Sequence, residues 1–127
     1  MTYEVPVDMV PKSFNATQMR HWASVQREKH KLQGQIGWAL MAAGVPRRLG
    51  AVRVEARLTF TTRRRRDEGN FRTPVEKATG DALVAGGWIE DDDPEHFRFG
   101  ELTINPEPGY ALTMLYITPL SHPLDQE

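Results

Sequence analysis

Four consecutive arginines, Arg63, Arg64, Arg65 and Arg66, run straight into an acidic pair, Asp67 and Glu68. A second acidic cluster, Glu90, Asp91, Asp92 and Asp93, follows about one helix later. Carboxylates gathered in two places repel one another unless a cation joins them. A guanidinium presents a fork of donors matched to phosphate oxygens. Cationic side chains beside a carboxylate metal site are the equipment of a nuclease.

Between the clusters lie Lys77 and Asp81, four apart on one face of an expected helix. Alone, such a pair is a surface contact worth a few tenths of a kcal/mol. Beside an acidic loop, Lys77 is a candidate to touch a phosphate, with Asp81 orienting it. The run at 90–93, taken alone, reads as a solvated loop. Trp88 and Ile89 directly before it and Phe97 and Phe99 after it should anchor it at both ends. Its carboxylates then cannot spread apart, and a cation would relieve them. Chain order sets Asp67 and Asp91 at opposite ends of a helix roughly 18 Å long. The histidines, His21, His30, His96 and His122, show no metal-ligand spacing, and His96 is nearest the acidic loop.

The elements that must position these groups follow from periodicity. Tyr3, Val5 and Val7 alternate with polar residues and predict a short strand, held to an edge or cut short by Pro6. Residues 10–17 read as a loop, with Asn15 or Thr17 as a helix cap. From 18 to 43 the period is helical, through Trp22, Val25, Leu32, Ile36, Leu40 and Ala43, with Lys29 completing the stripe. Gly34 and Gly37 each weaken that helix by roughly 1 kcal/mol relative to alanine. Residues 51–61 alternate cleanly, with Val52, Val54, Ala56, Leu58 and Phe60 on one face. The other face, with Arg53, Glu55 and Arg57, is wet or meets a partner. Thr73-Pro74-Val75-Glu76 reads as a capping box, which predicts a helix over 74–85. Gly86 and Gly87 close it. Phe97, Phe99, Leu102 and Ile104 form a strand whose alternation slips at Gly100, as a bulge would make it. Residues 110–118 are nearly all apolar on both faces and predict a central strand.

The expected fold is therefore α+β: two main helices packed on a small mixed four-stranded sheet, in the order strand, helix, strand, helix, strand, strand. With 127 residues, one domain is expected over 1–118, followed by a flexible tail over 119–127. The chain has no cysteine, which excludes disulfides and thiolate chemistry. Neither a signal peptide nor a membrane span is expected, so the chain reads as cytoplasmic. The net charge of −1 means that any nucleic-acid binding works through a local patch.

These residues resemble a known family. Arg-Arg-Arg-Arg-Asp-Glu-Gly-Asn at 63–70, Glu-Lys-Ala-Thr-Gly-Asp-Ala-Leu at 76–83 and Ala-Gly-Gly-Trp-Ile-Glu-Asp-Asp at 85–92 are similar to the RusA-type Holliday junction resolvases, particularly phage-like members. That family shows a basic run, an Asp-x-Asp-Asn motif, a Lys-x-x-x-Asp-Ala-Leu helix and a Gly-x-x-x-Asp-Asp turn, in that order. Pro11 to Asn15 also looks like its loop after the first strand. The resemblance is specific over about 30 residues. It implies a homodimeric endonuclease that cuts branched DNA with Mg2+, or Mn2+ in its place, and a phage or prophage source. It implies Asp67, Lys77, Asp91 and Asp92 as catalytic residues and Asp67, Asp91 and Asp92 as metal ligands. Arg63, Arg64, Arg65, Arg66, Asn70 and Lys77 would hold DNA. Two departures stand out. Gly69 replaces the second aspartate of the motif, and the gap from Asn70 to Asp81 is longer by about one helical turn. Glu76 or Glu68 would then complete the metal shell, since Mg2+ accepts any well-placed carboxylate oxygen; the alternatives are a protein that binds junctions with weak or lost catalysis, or a small protein-interaction module.

Overall fold

The computed structural model describes residues 1–12 and 22–120 of the chain. The expectations for Asn15, Thr17, His21, His122 and most of the tail fall outside the described residues. Strand β1 (Tyr3–Val7) is followed by α1 (Trp22–Ala42), β2 (Ala51–Thr59), α2 (Gly69–Ala85), β3 (Phe97–Ile104) and β4 (Leu112–Leu120). This is the α+β order that the periodicity predicts. The strands lie in the order β1-β4-β2-β3. β4 is central, between β1 and β2, and antiparallel to both. β2 and β3 are parallel, and α2 is the crossover between them.

One sheet face is dry because every second residue is apolar. Val52, Val54 and Leu58 of β2 meet Leu115 and Ile117 of β4 and Val5 and Val7 of β1 there, all fully buried. Leu32, Ile36 and Leu40 of α1 and Val75 and Leu83 of α2 close the core from above. The opposite face presents Arg53 and Arg57 to water, as the alternation implies. β3 carries one extra residue between Phe99 and Leu102, where β2 advances only from Val54 to Ala56. This is the expected bulge, and Gly100 sits inside it against Arg53. No helix among the described residues is long and apolar enough to cross a membrane.

Several boundaries differ by a residue or more from the expectation, and two of them carry a physical reason. β4 runs on to Leu120 through Pro119, which pairs with Val52. β1 ends its pairing at Tyr3 opposite Ile117, so one side of β4 is open beyond that point. A proline needs no ladder partner on an open side. The larger correction concerns α2, which starts at Gly69 and encloses Pro74. The capping box at 73–76 does not form. Asp67 does the capping instead: its Oδ1 accepts from Gly69 N–H at 3.0 Å and its carbonyl from Asn70 N–H at 3.0 Å. Arg72 locks the added turn by donating to the carbonyls of Gly100 at 2.6 Å and Phe99 at 2.8 Å. Those bonds outweigh the donor that Pro74 withholds from the Asn70 carbonyl.

At its other end α2 stops on two glycines with different duties. Gly87 takes a φ of 77°, open to glycine at no steric cost. Gly86 has an ordinary φ of −87° but lies flat under the Trp88 ring, where any Cβ would overlap the indole. Inside α2, Thr79 is fully buried and its hydroxyl has no hydrogen-bond partner among the described residues. An unsatisfied buried hydroxyl costs about 1–3 kcal/mol, and valine has nearly the same shape. Thr79→Val should therefore stabilise the fold by about 1 kcal/mol in urea denaturation. A loss of stability would mean that the hydroxyl is bonded after all.

Candidate functional site

The middle of α2 and the loop that follows it meet at one lysine. Lys77 Nζ lies 3.3 Å from Asp81 Oδ1 and 3.9 Å from Asp92 Oδ2. Lys29 of α1 reaches the other Asp81 oxygen at 3.8 Å. Asp92 arrives there because Gly80 has no side chain. A Cβ on Gly80 would stand 3.3 Å from Asp92 Cβ and 3.3 Å from the Phe97 ring. The loop thus folds back over α2, held by buried Trp88 and Ile89 on one side and Phe97 on the other. The cluster alternates sign: two ammonium groups and two carboxylates share its contacts. Two carboxylates around one ammonium are a cation site whose charge the chain supplies itself.

Asp91 and Asp93 have local duties. Asp91 Oδ1 accepts from Asp92 N–H at 2.8 Å, which sets the turn that aims Asp92. Asp93 Oδ1 accepts from Glu95 N–H at 3.1 Å, from His96 N–H at 3.1 Å and meets His96 Nδ1 at 2.7 Å. His96 is raised above the ordinary 6.5, chiefly by its hydrogen bond to Asp93, against a lesser lowering by desolvation. Asp93 is lowered below the ordinary 3.8, chiefly by the same bond. A raised histidine stabilises fully below its unfolded pKa, and that stability is lost as pH rises through its folded pKa. A lowered carboxylate stabilises fully above its unfolded pKa, and that stability is lost as pH falls through its folded pKa. Both contributions are complete between pH 3.8 and 6.5. In the metal-free protein, NMR titration should place His96 above 6.5, and Asp93→Asn should bring it down. An unshifted His96 in the wild type would mean that its hydrogen bond to Asp93 does not persist in solution.

Asp67 is not part of this cluster. It caps α2 at Gly69, and Gly80 lies eleven residues further along. That separation is roughly 16 Å of helix rise, too far for one Mg2+ bound at ~2.1 Å. Glu76 is also engaged elsewhere, 3.4 Å from Arg72 Nε. Gly69 has no left-handed φ, so backbone freedom is not what holds glycine there. Among the described residues no group of three or more histidine and acidic side chains is placed to hold a metal ion. The donor set at Lys77 is Asp81 and Asp92.

The basic run divides in two. Arg63 pairs with Glu107 at 2.7 Å. Arg66 lies 3.9 Å over the Phe60 ring and bonds the Thr62 carbonyl and hydroxyl. Desolvation first, then the charge of Arg64, lowers its pKa. Arg64 and Arg65 are exposed, and neither guanidinium shows a hydrogen bond or ion pair among the described residues, although the Arg64 carbonyl accepts from Arg66 Nη1 at 3.3 Å. Asn70 is half-buried in the first turn of α2, beside the Asp67 cap.

Lys29 was legible only as part of a packing stripe. A lysine on a helix face that otherwise carries Leu32, Ile36 and Leu40 must find a carboxylate across the interface, and that demand was the available signal. Neither protein-family models nor curated proteins give a match to this chain.

Proposed function

We propose that the chain is a metal-dependent endonuclease acting on branched DNA, centred on Lys77, Asp81 and Asp92. The observation that supports this most is the convergence of two carboxylates, one from α2 and one from the loop beyond it, on a single ammonium. Mg2+ is commonly held by one or two carboxylates together with the substrate's own phosphate oxygens. Asp81 and Asp92 fit that donor set, Asp91 adjoins it, and Mn2+ would substitute. Such an ion, when bound, supplies a Lewis acid and an activated water. Lys77, freed from the carboxylates, is placed to hold a non-bridging phosphate oxygen. Lys29 continues to orient Asp81 from α1. The resemblance to RusA-type resolvases supports branched DNA as the substrate and the cytoplasm as the place of action.

Within the basic run, Arg64 and Arg65 are the arginines left for the DNA backbone. Replacing both with glutamine should flatten the plot of log affinity against log salt by roughly 2 units. An unchanged slope would remove the run from the interface. Paired symmetric cuts need two centres related by a two-fold axis, so a homodimer belongs to the same proposal. The helix-free sheet face, with half-buried Met114 and Tyr116, is the surface available for it. Sedimentation showing only monomer, with and without a junction, would exclude paired cutting.

The direct test is a labelled four-way junction incubated with Mg2+. Cleavage that depends on both the ion and Asp92 is the expected result. A second reading, junction binding without cutting, is favoured by the Lys77 ammonium already neutralising both carboxylates. A gel shift in EDTA with no cleavage in Mg2+ would select it.

A further inference from the structure

Helix α1 carries two glycines that its packing does not need. A Cβ at Gly34 or at Gly37 would meet nothing within 4 Å. Each glycine nonetheless weakens the helix by roughly 1 kcal/mol relative to alanine. The space they leave belongs to an open groove of about 410 Å³ between α1 and the end of α2. Its walls include His30, Gly34 and Gly37 on one side and Ala82 and Gly86 on the other, with Arg47 and Trp88 at one end. Bare glycine and alanine surface makes those walls flat.

Beside the residues that line the groove, α1 and the segment after it expose aromatic and basic side chains. Trp38 stands one turn from Gly34 and is 67% exposed. Met41, the next residue along that stripe, is 54% exposed. Lys31 lies two turns before Trp38 on the same stripe and is exposed. At the far end Arg47 is fixed, with Nε donating to the Gly86 carbonyl at 2.6 Å and its guanidinium 4.2 Å over the Trp88 ring. Arg48 beside it is held in the left-handed region, at φ 60°, by bonds from Arg48 N–H to the Gly87 carbonyl and from Leu49 N–H to the Trp88 carbonyl. The ionisable lining is His30 and Arg47, with no carboxylate in it among the described residues. Two copies of this face would oppose like charges, whereas a polyanion would neutralise them.

We infer that this groove receives an unpaired nucleobase of a DNA strand, stacked on Trp38, with Lys31, Arg47 and Arg48 on the flanking phosphates. A flat slot flanked by tryptophan and cations is how proteins hold single strands without reading sequence. The groove adjoins the charge cluster: His30 follows Lys29, and Ala82 follows Asp81. A strand seated at Lys77 would therefore continue into it. This inference rests on the reading of the chain as a DNA-acting protein and adds a place for the unstacked strand that a branch point exposes.

The test compares oligothymidine with an abasic strand of equal length, binding to the full chain in EDTA. The wild type should prefer oligothymidine by about fivefold or more, the lower end for one stacked base, and should show quenched tryptophan fluorescence. Trp38→Ala should lose the preference. Gly37→Leu should lose it too by filling the slot, with a melting temperature unchanged or raised, so misfolding cannot explain the loss. The proposal is overturned if the wild type shows no preference, or if both variants keep it. It is equally overturned if a polyglutamate peptide binds through Trp38 while the oligonucleotide does not, or if Trp38→Ala splits a dimer and leaves oligonucleotide binding intact. Junction cleavage in Mg2+, measured on the same proteins, keeps the two ideas apart. Cleavage without a base preference defeats the groove alone. A base preference in a wild type that never cleaves defeats the nuclease reading alone.

Discussion

Asp92→Asn should reduce Mg2+-dependent junction cleavage by roughly a thousandfold, since a metal contributes several kcal/mol to such a reaction. The change keeps the shape of the side chain and its packing on Gly80, so the fold should survive. Its side chain is 39% exposed, and an ion pair so open to solvent is worth about 0–1 kcal/mol at most. Junction binding should hold or tighten, because a negative charge leaves the neighbourhood of a phosphate. Asp67→Asn is the informative control. Asparagine caps a helix about as well as aspartate, and Asp67 lies a long way along α2 from the cluster. It should therefore cleave as the wild type does. Full activity in Asp92→Asn would dismiss the centre proposed here. Loss of activity in Asp67→Asn would show that the acidic groups converge in the DNA complex by a rearrangement of α2.

The largest stability effect is expected at Trp88. It is 1% exposed, its Nε1–H donates to the Val45 carbonyl at 2.9 Å, and Arg47 covers its outer face. Trp88→Ala removes this packing, orphans a carbonyl and releases the start of the acidic loop. Losses of about 3–5 kcal/mol are typical of such truncations. A domain of this kind has ~5–15 kcal/mol in total, so a large share of its stability would go. The shift of the urea midpoint measures it. A loss below about 1 kcal/mol would mean that Trp88 is not a core residue.

The sheet was legible because its signals are repeated. Five alternating pairs over 52–61 leave one register that buries the apolar set, and the nearly all-apolar run of β4 has room only at the centre. The start of α2 was not legible, because Thr73-Pro74-Val75-Glu76 satisfies every local rule for a helix start. What decides the matter is Arg72 bonding carbonyls in β3, a contact that no local pattern encodes. The same fact governs the candidate site. Lys77 and Asp81 were visible as a spacing on one helix. The arrival of Asp92 depends on the missing side chain of Gly80 and on the course of a loop, and both are tertiary facts. Asp67 looked like a ligand because an aspartate beside arginines suits metal binding and helix capping alike.

The pairing of the first strand with the last has a mechanical consequence. β1 and β4 are antiparallel neighbours, and Tyr3 sits opposite Ile117, so both outer ends of the pair emerge on the same side. Their hydrogen bonds lie perpendicular to the strands. A force drawing residues 3 and 117 apart would load those bonds one after another, like the teeth of a zip, and not all together as in shear. The β1–β4 seam should therefore open at low force and before the β2–β3 crossover that carries Lys77 and Asp92, leaving the charge cluster assembled after the first strand has peeled away.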